Sequence, residues 1–199
     1  KSLPDPPIAS IGYQASIVIT PQQEADIDIK ATLNNLLIPY TSNYAGTLLP
    51  GIREYTVTPG EKTTTISGKG KAGLKQEENY YFFYLPVCYK GITGKSYAYY
   101  NTSRSKNLYL PASVDENYSY DIQLPENLTL CTPIQEKKID NPIGSFKITL
   151  TSEGSSLHIE LALQIKKQLI TPAEYPAFRS LITEWTDRTR KPILFKTVQ

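Results

Sequence analysis

Across residues 157–165 every odd position is apolar (Leu157, Ile159, Leu161, Leu163, Ile165), and His158, Glu160 and Gln164 between them are polar. A period of two puts successive side chains on opposite sides of an extended chain, so this text predicts a strand with one buried and one wet face. The same alternation runs without a fault through 25–33, where Ala25, Ile27, Ile29, Ala31 and Leu33 oppose Asp26, Asp28, Lys30 and Thr32. Residues 13–19 alternate more roughly. With Pro21, Gln22 and Gln23 between, the two stretches predict an antiparallel pair. Tyr118, Tyr120, Ile122 and Leu124 repeat the pattern up to Pro125, and Phe146, Ile148 and Leu150 should pair with 157–165 through a turn at Glu153, Gly154 and Ser155. Shorter strand texts stand at 54–57, 63–67 and 106–110. The stretch YYFFYL at 80–85 is apolar on both faces, as a strand buried between layers would be. Residues 34–51 read as a long loop with room for a helical turn, and the Gly-rich 68–73 as a turn or linker.

The period changes near the end of the chain. Thr171 offers a hydroxyl as N-cap, Pro172 suits the first helical position, and Glu174 can reach back to the cap amide, which together make a capping box. Tyr175, Phe178, Ile182 and Trp185 follow at helical spacing and form one apolar stripe, so a helix over about 172–185 is predicted with these four as its anchors. The resulting class is mainly β, with antiparallel sheets and one C-terminal helix. Strands about 10 residues apart with turn signals between them suggest β-sandwiches. We expect a linker at 1–7, a sandwich-like module at 8–110, and a second at 111–199 with the helix packed on it.

Composition supports this class: among 199 residues there are 15 Tyr and 15 Pro, which favour strands and turns over helices. A net charge of +2, with both signs interleaved, gives no strong field for nucleic acid, and neither nucleic acid nor a membrane is expected as partner. No apolar run approaches the length of a membrane span, and no signal peptide is recognisable. The chain begins at Lys1 and contains no Met, so a fragment of something longer is expected.

Candidate chemistry is sparse. Gly68, Gly70 and Gly73 fit G-x-G-x-x-G, but the residues after Gly73 show no helical period, so a turn is favoured over a dinucleotide site. Lys62, Lys69, Lys71 and Lys75 could clasp an anion, yet Glu61, Glu77 and Glu78 bracket them and a solvated segment is favoured. Asp26 and Asp28 lie about 6 to 7 Å apart on one strand face, compatible with a carboxylate pair or with a hydrated edge. His158 is the only histidine, and no nucleophile motif surrounds it. With Cys88 and Cys131 it has no zinc-ligand spacing, so no metal and no cofactor is expected. The two cysteines could form a disulfide stabilising the fold by about 3 to 4 kcal/mol, or stay as buried thiols. Tyr97, Tyr99 and Tyr100, with the aromatic strand before them, could present rings to a glycan or a peptide, or pack inward.

Three texts resemble one family. The aromatic strand ending in Leu85-Pro86, the segment NLYLPASVDENYSYDIQLPENLTL (107–130), and the closing LQIKKQLITPAEYPAFRSLITEWTDRTRKPILFK (163–196) are similar to the C-terminal part of bacterial transglutaminase-like envelope proteins. That resemblance implies a β region of unknown function following an N-terminal β domain and a papain-like domain with a Cys, His and Asp triad. None of the triad motifs is present here, and Cys88 and Cys131 do not match the nucleophile. The implied role is a non-catalytic accessory to an upstream transglutaminase-like domain, in the bacterial periplasm or at the cell surface. That compartment favours the disulfide. A free-standing glycan- or peptide-binding module is the alternative.

Overall fold

The alternating stretches assemble into one eight-stranded sheet. The computed structural model describes residues 7–37, 51–88, 91–92 and 103–198. Its strands are β1 (Ile8–Ile19), β2 (Glu24–Asn34), β3 (Glu54–Pro59), β4 (Thr63–Gly73), β5 (Lys75–Glu77), β6 (Tyr80–Phe83), β7 (Leu108–Tyr109), β8 (Ser113–Gln123), β9 (Leu128–Leu130), β10 (Gln135–Asn141), β11 (Gly144–Glu153), β12 (Ser156–Ile165) and β13 (Leu169–Ile170). Helix α1 (Tyr175–Arg190) and strand β14 (Ile193–Thr197) close the chain. The large sheet runs β10-β11-β12-β8-β1-β2-β4-β3, a four-stranded sheet runs β5-β6-β14-β9, and β13 pairs with β7 alone.

Every neighbouring pair is antiparallel except β1 and β8, which run parallel with Tyr13 opposite Tyr118 and Ile17 opposite Ile122. This pair joins the two halves. The expected division at 110/111 falls between β7 and β8, and strands from both sides of it share the same large sheet.

The predicted pairings of β1 with β2 and of β11 with β12 are present, the second closed by Gly154 at φ +58°. One face of the large sheet is buried and the other open. Ile11, Tyr13, Ile17, Ile27, Leu33, Tyr120, Phe146 and Leu161 are buried, whereas Gln14, Lys30 and Asp121 between them face water. A single apolar cluster unites that inner face with Tyr81, Phe83, Leu128 and Phe195 of the small sheet and with Tyr175, Phe178, Leu181, Ile182 and Trp185 of α1. All four predicted helix anchors are therefore in the core. The helix packs across β11 and β12.

Two elements differ from expectation. The reciprocal bonds of the capping box form, with Thr171 N donating to Glu174 Oε2 at 3.0 Å and Glu174 N to Thr171 Oγ1 at 3.4 Å. They close a separate turn, and α1 starts one turn later at Tyr175, with Pro176 in its first turn, and runs to Arg190. The aromatic strand is buried on one face only: Tyr81 and Phe83 point inward while Tyr80 and Tyr84 are exposed. Its sheet has helix and large sheet on one side and water on the other.

Candidate functional site

Glu116 continues the inward register of Tyr118, Tyr120 and Ile122 and is the one charged side chain buried in the core among the described residues. A buried carboxylate is costly unless it accepts hydrogen bonds. Ile92 N donates to its Oε1 at 2.5 Å and the Tyr118 hydroxyl to its Oε2 at 3.2 Å. A Cβ on Gly91 would stand 2.6 Å from both oxygens, so glycine is what lets this backbone approach. Beside it, Tyr13 stacks obliquely on Tyr118 and Tyr120 at 5.3 and 5.9 Å, and Tyr118 meets Trp185 at 5.6 Å. The Tyr120 hydroxyl donates to the Pro86 carbonyl at 2.7 Å. Desolvation raises all three tyrosines well above their ordinary range, with the nearby Cys88 adding to it. These groups are therefore neutral hydrogen-bonding parts of the core. They fasten the segment that follows β6 to the centre of the large sheet.

The open face carries the histidine. His158 Nδ1 lies 2.7 Å from Asp121 Oδ1 on the neighbouring strand, and Nε2 lies 3.4 Å from Glu160 Oε1. The Asp121 contact raises its pKa above the usual 6.5; desolvation opposes part of that rise, and Glu160 adds to it. Glu160 is lowered in turn, chiefly by His158 and then by Lys147. Cys88 belongs to the buried side with Tyr13 and Tyr118, so the sheet stands between the imidazole and that thiol. A shallow trough of about 550 Å3 crosses this open face, lined by Gln14, Lys30, Asn117, Ser119 and Glu160 with Gly12 on its floor.

At one end of the large sheet is an apolar cavity of about 330 Å3. Pro7, Ala9, Leu36, Leu37, Leu110 and Val114 line it, and Glu116 reaches its inner wall.

The remaining sequence candidates separate clearly. Cys88 and Cys131 are free thiols, the unbonded one of the two readings the sequence leaves open. Cys88, in the segment after β6, is buried against the tyrosines, whereas Cys131 follows β9 and its N–H donates to the Leu194 carbonyl on β14 at 2.8 Å. Asp26 and Asp28 pair across the strands with Lys71 at 2.9 Å and Lys69 at 3.6 Å, which makes a hydrated charged face. The Gly68, Gly70, Gly73 stretch is strand β4, paired along its length with β2 and leading into no helix. Lys75 sits over the Tyr84 ring at 5.2 Å. Tyr97, Tyr99 and Tyr100 lie outside the described residues. Among the described residues no group of three His, Cys, Asp or Glu side chains is placed to hold a metal, and no helix is long and apolar enough to cross a membrane. Glu116 is the residue that reading the sequence passed over. The signal was present, since it falls in step with Tyr118, Tyr120 and Ile122 on the inward side.

Among the described residues this is a mostly β protein with largely antiparallel open sheets, one C-terminal α-helix and no closed barrel. A family model described as "Domain of Unknown Function with solved-structure structure (DUF3858)" matches residues 79–195, more than half of the chain, and the chain belongs to that family. The crystal structure of a "putative protease" from Parabacteroides distasonis is similar, with 30% identity and a TM-score of 0.53 over 61% of this chain and 24% of its own. The chain thus spans about a quarter of that protein's length. A search of curated proteins finds no match.

Proposed function

We propose that this chain is a non-catalytic accessory region of a larger transglutaminase-like bacterial protein, and that it packs on and positions a catalytic domain preceding it. The observation that carries this reading is the match to only 24% of a longer chain described as a protease, which leaves most of such a protein to carry chemistry. The geometry is in keeping with it. A nucleophile needs a base within hydrogen-bond reach, and here the imidazole of His158 is engaged by Asp121 and Glu160 on the open face while Cys88 is buried on the other. Export to the periplasm or cell surface belongs to the same proposal. The test is the intact mass of the native protein together with turnover by the isolated region. We expect a mass well above 22.3 kDa and no peptide hydrolysis or amine transfer by residues 1–199 alone. A native mass near that value, or turnover abolished by His158→Ala, would overturn the reading.

A further inference from the structure

We infer that the apolar cavity at the end of the large sheet is the docking surface for the part of the longer protein that precedes residue 1. This rests on the accessory reading above and names the surface it uses. Leu36 is 59% exposed and Tyr109 71% exposed, and both border the same cavity as Pro7, Ala9, Leu110 and Val114. Large apolar side chains exposed together around an apolar hollow form a contiguous patch, and such patches mark interaction sites. Position selects the occupant. Pro7 forms part of the wall, and its carbonyl accepts from Ser113 N at 3.1 Å and Ser113 Oγ at 3.2 Å, so the chain is pinned at the cavity as it enters β1.

Whatever precedes residue 1 is tethered by six residues, a reach of about 20 Å. Such a tether holds a partner at an effective concentration in the millimolar range, at which a small patch is enough. The opposite, open face of the sheet is the poorer candidate. Charged pairs such as Lys69 with Asp28 and Lys147 with Glu160 occupy its rows, and charge is depleted at the centres of protein interfaces.

The test uses the full native chain with Leu36→Asp, Tyr109→Asp, and Ser119→Asp on the open face as the contrast. Trypsin cleavage after Lys1 reads whether the connecting segment is held. An unchanged far-ultraviolet circular dichroism spectrum and melting temperature confirm that each variant folds, and Tyr109→Asp decides alone if Leu36→Asp does not fold. We expect cleavage at least tenfold faster in the two cavity variants and unchanged in Ser119→Asp. Faster cleavage in Ser119→Asp alone would move docking to the open face, which overturns this inference and leaves the accessory reading standing. Slow cleavage in the wild type that no variant changes would do the same. Wild-type cleavage as fast as in an unstructured peptide would remove both. Should the full chain sediment as a dimer that Leu36→Asp dissociates without altering cleavage, the occupant is a second copy and the inference fails.

Discussion

His158, protonated, donates to Asp121 from Nδ1 and faces Glu160 from Nε2, and its folded pKa lies above the 6.5 of a free imidazole. A group whose pKa is raised on folding adds stability that is fully present below the unfolded value and is lost as pH rises through the folded one. The His158 contribution is therefore complete at about pH 5.5 and fades above about 6.5. Water screens this exposed site, so it should stay below about 1 kcal/mol. As the only histidine among these 199 residues, it gives one imidazole Hε1 resonance in a proton NMR titration. We expect that resonance to titrate above 6.5 and to move down in Asp121→Asn; a value at or below 6.5 in the wild type would contradict the pairing. Gly144 makes a second residue-level case. A Cβ there would stand 1.9 Å from the backbone oxygen of Gln164 on β12, a neighbour that cannot swing aside. Gly144→Ala should therefore cost at least about 2 kcal/mol by urea denaturation. A loss under about 0.5 kcal/mol would mean that β11 and β12 lie farther apart here.

Elements whose two faces see different solvents were legible, and those whose fate depended on a distant partner were not. Strands β2, β8, β11 and β12 each have one side in the core and one in water, so their sequences alternate and their pairing through short turns follows. Strand β4 runs past the expected 63–67 to Gly73, although Gly68, Gly70 and Gly73 are poor strand formers. Its partner β2 supplies eleven paired positions and the carboxylates for Lys69 and Lys71, and these outweigh local propensity. The helix is legible in its apolar stripe, but it starts a turn after the point its capping box indicates, because the Thr171 and Glu174 bonds that mark a cap also suit an isolated turn. Lys167 supports that turn by pairing with Glu174, whose pKa is lowered to about 2, first by Lys167 and then by Thr171. Trp185 is fully buried against Tyr118, so Trp185→Ala should cost about 3 to 5 kcal/mol in chemical denaturation. A cost under about 1 kcal/mol would show that α1 does not clamp the sheet.

At the scale of the whole molecule, the parallel pairing of β1 with β8 decides how the chain holds together. Nothing local in either strand announces it, because parallel partners are joined by long connections, and here roughly ninety residues lie between them. The same holds for the cavity, whose walls come from residues as far apart as Pro7, Leu37 and Val114. Composition and alternation therefore read as two modules, while the backbone forms one large sheet through both. The small sheet is also built from the two halves, with β5 and β6 from one side of position 110 and β9 and β14 from the other. Separating the halves would strip β1 and β8 of a common ladder and leave the apolar faces of Tyr13, Tyr118 and Phe195 in water. Residues 7–110 and 111–198 expressed apart should accordingly remain unfolded or aggregate, and mixed from denaturant they should recover the ladder. In the intact chain, hydrogen exchange under rising denaturant should lose protection in β2 and β12 together. If β2 opened at a denaturant concentration where β12 stayed fully protected, the parallel seam would be too weak to unite the halves, and the two-module reading of the sequence would be the better description.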